Sequence, residues 1–457
     1  MPDQPAASVP PALPAPANSS SILIKIVIIS FLALLLLIPT LQLQGLIEER
    51  EQYRAEAVSD VTRMWGAGQT ISGPFISVPY KTDSTGLAGR PATRIAYAHF
   101  FPETLSITGT IRPEQRSRGI FDVILYNTRL TVSSTFRKPS ATSVGLPDGV
   151  LQWDKAILSL GISDLKGVRQ SIRVRVNGQS TLAEPGLPTN DVVSSGVIVP
   201  IRLDADQYRV STTLDLNGST QLDMLPLGRE TRVSLQSSWA SPGFVGAFLP
   251  DQRVLDTSGF RASWTVLQLN RDMPQQGLGS FLTKRLIAAG APIRLGNTPN
   301  LPTFGVKLML PIDEYQKTTR ATKYGLLFIL LTFITFFGIE ILAHRAIHPV
   351  QYLLVGLAIC LFYLLLLAFS EQITFNRSYL LSSLLIVGLI TGYVRYVFRS
   401  PRLTMAFGLL LAVLYAFFFG LLQLTDYALL LGSLGLLTIL AAGMYATRHV
   451  DWYGVRA

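Results

Sequence analysis

Three groups of residues have types and spacings that chemistry could use. Asp313 and Glu314, in "PIDEYQKTTRATKYGLLFI", are neighbouring carboxylates ahead of Lys317, Arg320 and Lys323. Ser163 and Lys166, in "SDLK", fit the S-x-x-K pattern of serine β-lactamases and penicillin-binding proteins. In those enzymes the serine opens a helix and the lysine one turn later reaches its hydroxyl. His99 could act as base to a serine, and Glu340 with His344 lies in an apolar run, where an ionisable group is costly and marks a functional suspect.

Each group also has a structural reading, and the surrounding sequence favours it. Adjacent residues point to opposite faces of a strand and stand ~100° apart on a helix. Neither geometry brings two carboxylates onto one substrate as glycosidases require. Asp313 instead precedes Gln316 by the spacing of a capping box, and Glu314 falls in the first turn, where the helix dipole favours an acid. Asp313 is also placed to pair with Lys317. Lys317, Arg320 and Lys323 then face lipid headgroups as one continuous helix enters the membrane.

"AILSLGISDLKGVRQSIRVRV" reads as strand, turn, strand, with Asp164 bonding its own backbone and Gly167 supplying a permissive φ. S-D-N and K-T-G companions are lacking, as are G-x-S-x-G, Walker A and H-E-x-x-H patterns. His99 reads as a buried or rim residue of a strand. Glu340 lies about 25 Å beyond Lys323 at 1.5 Å per residue, near the cytoplasmic face, with His344 one turn on as its partner. These residues therefore assign no catalytic, cofactor-binding or metal site. Cys360 is the single cysteine, which excludes an internal disulfide and a cysteine-built metal centre.

The elements that hold these residues follow from composition. Of 457 residues, 49% are hydrophobic and only 15% charged, with mean hydropathy +0.36. Soluble domains carry about 25% charged residues, so the deficit marks membrane-buried segments. The net charge of +10 comes from scattered, mostly arginine residues without the runs that nucleic acid favours. It fits a solvated, mildly basic surface with weak attraction to anionic lipid headgroups.

Residues 1–21 are proline-rich and read as a disordered tail. Residues 22–43 are apolar for long enough to span a bilayer, and the lack of a basic leader and small-residue cleavage site favours an uncleaved anchor. An amphipathic helix over 45–66 continues from it, with Ile47, Val58, Val61 and Trp65 near helical spacing. From about 70 to 312 the apolar period is two, with Asn177-Gly178 and Asn217-Gly218 suited to hairpin turns. Gly73-Pro74 and Val78-Pro79 read as shaping an edge strand. Spans follow near 324–343, 349–370, 378–397, 403–424 and 427–447, and Gly388 with Gly392 forms a G-x-x-x-G packing motif.

Several long stretches together resemble the CreD family of bacterial inner-membrane proteins. They include "YRAEAV", "GPFISVPY", "LNGSTQLDMLPLG", "SPGFVGAFLP", "LPIDEYQKTTRATKYGLLFI", "HPVQYLLVGL" and "TDYALLLGSLGL", in that order, ending in "RHVDWY". The resemblance implies a Gram-negative inner-membrane protein with a periplasmic domain, under a two-component system, with a role in envelope integrity and, in some bacteria, β-lactam response. It brings no catalytic residue or ligand.

The expectation is thus a six-span helical bundle with a β-rich, sandwich-like periplasmic domain (44–323, with helical stalks) between helix 1 and helix 2. The five-helix bundle is 324–447 and the tail 448–457, with both termini cytoplasmic by the positive-inside rule. The function expected is non-catalytic support of the envelope under stress, with membrane lipids and an unnamed envelope protein or lipid as partners and no nucleic acid. An envelope enzyme acting on lipid, glycan or peptidoglycan precursors, or a transporter, is the alternative.

Overall fold

The computed structural model describes residues 20–85, 91–288, 293–294, 298–299, 301–309, 314–342, 347–424 and 427–448. They form two compact units, one made of Met1–Tyr53 with Ile312–Ala457, the other of Arg54–Pro311.

The helical unit begins with α1 (Ser20–Leu35) and the first part of α2 (Leu37–Trp65); α1 and α2 together form one apolar-to-polar helix from Ile24 to Trp65. After a short α3 (Phe281–Ala288) in the β unit come α4 (Glu314–Lys323) and α5 (Gly325–Leu342). Then follow α6 (Pro349–Ser370), α7 (Phe375–Phe398), α8 (Pro401–Gln423) and α9 (Ala428–Thr447). Among the described residues four helices, α1–α2, α6, α7 and α8, are long and apolar enough to cross a membrane, and α4 with α5 makes a fifth if counted as one span. α9 carries the shorter apolar stretch Leu429–Ala441.

The helix entering at Glu314 is not continuous. α4 and α5 bend by 46° where Tyr324 separates them. The composition changes there from the polar "EYQKTTRATK" to the apolar "GLLFILLTF", and Gly325 is a weak helix former at the joint.

The bundle interior is aromatic. Phe328 meets Tyr415 edge-on at 4.4 Å and Phe418 at 4.9 Å, Phe362 meets Tyr415 at 4.9 Å, and Phe336 lies 5.4 Å from Phe407. Such edge-to-face pairs add to the burial of large side chains. Close helix approach falls on different glycines from the expected motif. A Cβ on Gly356 would lie 2.1 Å from Leu36, and one on Gly408 2.9 Å from Thr391, whereas Gly388 and Gly392 face open space.

The β unit packs a nine-stranded sheet against an eight-stranded one. The first runs Pro242–Gly246, Phe304–Leu308, Gln221–Leu225, Gln69–Thr85, Ile157–Ile162, Gly196–Pro200, Glu184–Pro185. Pro91–Phe100 joins it beside Gln69–Thr85, and Gln276–Leu278 pairs with Pro91–Phe100. The second runs Gln252–Asp256, Gly259–Leu267, Glu230–Ser237, Thr104–Arg118, Phe121–Arg137, Gln207–Ser219, Arg173–Val176, Gln179–Leu182. Alternate residues of both sheets, among them Ile76, Val78, Leu105, Ile107, Val132 and Trp264, share one core. That is what a period of two produces when one face of each sheet is buried.

Two turn assignments change. Asn177 and Gly178 do form the hairpin, with φ of 47° and 90°. Asn217 and Gly218 instead lie inside the strand Gln207–Ser219, where a Cβ on Gly218 would be 2.4 Å from the Tyr126 ring. The positive φ that turns the chain belongs to Thr220, at 56°. The strand with Pro74 and Pro79 is central rather than at an edge, since it pairs with three others. Pro74, after a cis peptide, falls where the register shifts between Ser72 and Phe75, so its missing N–H is absorbed by a bulge.

Candidate functional site

The nine-stranded sheet turns its second face toward α3 and the loop between Glu184–Pro185 and Gly196–Pro200. Ile76, Val78, Ala98 and Phe100 point into the main core. The alternate residues Phe75 and Phe101 therefore face the other way, into a small cluster with Val192, Leu225, Leu227, Met273 and Leu282. Ser77 and His99 are direct cross-strand partners on that face.

There His99 is 1% exposed and hydrogen-bonded at both ring nitrogens. Nδ1 lies 3.0 Å from Ser77 Oγ and Nε2 3.3 Å from Asp191 Oδ2. Nε2–H donating to the carboxylate leaves Nδ1 to accept the serine O–H, the tautomer these partners select. Ser280 donates to Asp191 Oδ1 at 2.6 Å. The His99 hydrogen bond holds the Asp191 carboxyl well below its ordinary value, outweighing burial, which pushes it up; Ser280 and Thr189 add to the lowering. Phe281 stacks on His99 at 6.4 Å and Phe75 meets its edge at 6.0 Å. Gly277 makes room for Phe281, since a Cβ would lie 2.3 Å from that ring.

Serine, histidine and aspartate thus stand in line, but with the ring nitrogens exchanged relative to the acyl-transfer triad, where the serine bonds Nε2 and the aspartate Nδ1. The chemistry stops at access. Ser77 is fully buried, so its hydroxyl meets no substrate in this conformation. The cluster instead ties α3 and the 186–195 loop to the sheet. Sequence reading put His99 in a strand as a buried or rim residue, and it is buried. It missed Asp191 and Ser280, which are 92 and 181 positions from His99 and carry no local signal.

The S-x-x-K residues serve a turn. Ser163 Oγ accepts from Thr70 N at 2.8 Å and donates to Gly68 O at 3.2 Å. Asp164 accepts from Lys166 N at 3.0 Å. Gly167 is needed for close approach rather than for an unusual φ, because a Cβ would be 2.3 Å from Asn217 O and 2.5 Å from Gln69 Nε2.

The helical unit has its own polar cluster. Glu340 on α5, 7% exposed, accepts from Lys25 on α1, from Tyr352 OH on α6 at 2.7 Å, and from Ile347 N at 2.9 Å. Pairing with His344 lies outside the described residues. Farther along the α1–α2 helix, Arg50 approaches Glu371 at 3.6 Å. Residues 26–47 between these ion pairs carry no charge and rise ~33 Å at 1.5 Å per residue, about the hydrocarbon thickness of a bilayer.

Asp313 lies outside the described residues, and so does the side chain of Glu314. Lys317 does not face outward: it donates to Gln423 on α8 at 3.1 Å and lies 5.5 Å from the Phe375 ring on α7. Among the described residues no group of three or more His, Cys, Asp or Glu is arranged to hold a metal ion.

These features define a multi-helix membrane protein with a β-sandwich between its first helix and its later ones. A family model for "Inner membrane protein CreD" matches residues 21–453. The Escherichia coli protein of that description is 34% identical over 433 residues, covering 92% of this chain and 91% of the relative. The chain belongs to the CreD family of inner membrane proteins. Among solved structures, an M1 zinc metallopeptidase from Deinococcus radiodurans aligns with 36% of this chain and 38% of its own, at 9% identity and TM-score 0.18, too low to bear on fold or activity.

Proposed function

We propose that the chain is a non-catalytic, multi-pass inner-membrane protein that supports envelope integrity and the stress response under two-component regulation. The observation that carries the non-catalytic reading is the closure of the Ser77–His99–Asp191 line, whose serine is fully buried. Its hydrogen bonds are spent on fastening α3 and a loop to the sheet.

In this reading six spans cross the membrane, with α9 as the sixth, both termini cytoplasmic and the β unit periplasmic. Support comes from the arginines, which gather on alternate connections at Arg345 and at Arg399 with Arg402, as the positive-inside rule requires of cytoplasmic loops. The Lys25–Glu340 pair then sits at the inner boundary and Arg50–Glu371 at the outer. Membrane lipids are the immediate partners.

The test joins topology to phenotype. Residues Ser143 and Arg399 are changed singly to cysteine in a Cys360→Ser background, and labelled from outside intact spheroplasts. Labelling at position 143 and protection at position 399 are expected, and the reverse would sink the orientation. A deletion strain should become sensitive to detergent and β-lactam, and both the native chain and Ser77→Ala should restore resistance. Failure of a stably folded Ser77→Ala chain to restore it would revive the enzyme reading.

A further inference from the structure

The eight-stranded sheet buries one face and leaves the other uncovered. Its registers set Ser263, Ser234, Thr108, Thr131 and Thr213 in one row across five strands. The neighbouring row runs Arg261, Gln236, Thr110, Arg129, Asp215. A groove of about 430 Å³ lies over these rows, lined by Arg112, Arg129 and Arg261 and by the hydroxyls of Thr108, Thr131 and Ser234. None of its lining residues is acidic. A second groove of about 530 Å³ continues past Arg112 and Arg261; the acid among its described lining residues, Asp256, is bonded by Ser258 N at 2.7 Å and lies in the field of Arg261.

The spacing points to a ligand with repeated charges. Arg129 and Arg261 are three strand spacings apart, roughly 14 Å, and Arg112 is offset by about 7 Å along its strand. Arg129 shares Asp215 with Arg169 at 3.4 Å, and Arg261 stands in the field of Asp256 without a close ion pair. Between the guanidinium groups stand side chains that both donate and accept hydrogen bonds, the complement of sugar hydroxyls. An added peptide strand has no purchase here, because the sheet's backbone groups are already used in its ladders.

We propose that this trough binds an anionic polysaccharide, its carboxylates or phosphates held by Arg112, Arg129 and Arg261 and its hydroxyls by the Ser/Thr rows. Arginine suits the task because its planar fork grips carboxylate or phosphate with two hydrogen bonds. That the β unit meets such a chain in the envelope rests on the outward orientation proposed above. Binding by purified protein is independent of that orientation, so the two can fail separately.

The experiment uses the full chain in a neutral detergent, titrated with oligogalacturonate, with dextran oligomers and with polyglutamate of matched length. Oligogalacturonate should bind, more weakly as salt rises, and about tenfold more weakly to Arg112→Gln/Arg261→Gln, as loss of charge-assisted hydrogen bonds implies. Thr108→Val/Thr131→Val should weaken the saccharide and leave any binding of polyglutamate unchanged. Removing the same charge elsewhere, by Lys155→Gln/Lys166→Gln, should have little effect. The proposal is overturned if the arginine variant binds as the native chain does, or if the lysine variant loses as much. It is equally overturned if dextran or polyglutamate binds as tightly as oligogalacturonate.

Discussion

Lys25 and Glu340 are 315 residues apart in sequence and form an ion pair within the helical unit, joining α1 to α5. Tyr352 and Ile347 N complete the shell around the carboxylate, so α6 and the segment before it are tied to the same point. The three donors reach both oxygens of a carboxylate that is 7% exposed, Lys25 and Ile347 N at Oε1 and Tyr352 at Oε2.

Breaking that pair from one side should be costly. Lys25→Met leaves an uncompensated carboxylate, and loss of one partner of a buried pair costs about 3–5 kcal/mol; the lower end is expected because Lys25 is partly exposed. Lys25→Met/Glu340→Gln should recover most of the loss. Thermal unfolding of the single and double variants in detergent forms the cycle that measures it. Strict additivity would show that the pair contributes nothing.

Tyr352→Phe removes one hydrogen bond to the same carboxylate and keeps the ring against Phe333 and Phe336. The expected loss is about 1.5–3 kcal/mol, the range for a hydrogen bond to a charged group. In Tyr352→Phe/Glu340→Gln the tyrosine's effect should shrink, which the same unfolding measurement reads.

Acid should loosen the fastening of α3 and the 186–195 loop to the sheet at His99. The Asp191 carboxyl is held below its ordinary value by His99 first, then by Ser280 and Thr189. A depressed folded-state value means stability fully present above the unfolded value and lost as pH falls through the folded one. The β unit should therefore lose Tm below about pH 4, and Asp191→Asn should flatten that decline. Hydrogen exchange in α3 should rise over the same range. An unchanged acid slope in Asp191→Asn would remove Asp191 from the account.

Gly167→Ala tests the turn at "SDLKG". Its Cβ would meet a backbone carbonyl oxygen at 2.3 Å, which cannot yield as a flexible side chain would. A loss of about 1–3 kcal/mol is expected, as for overpacking elsewhere. Ser163→Ala should cost less, about 1 kcal/mol for its hydrogen bonds. Neither should change the response to β-lactam except through stability, and a stable Ser163→Ala chain that lost this response would restore interest in S-x-x-K.

Sequence alone determined whatever depends on near neighbours. Apolar runs of bilayer length, a period of two between them and long ordered matches to CreD proteins gave the class of protein and its family. The helix from Ile24 to Trp65 was legible because one composition shades into another along a single helical period. Tertiary structure decided whatever depends on distant pairing. The Ser77–His99–Asp191 line, the Lys25–Glu340 pair and the inward turn of Lys317 toward Gln423 join residues from separate elements, which no local period records. The packing glycines moved from Gly388 and Gly392 to Gly356 and Gly408 for the same reason: a motif shows that a close approach is open to a helix, and only the neighbouring helix decides where it occurs.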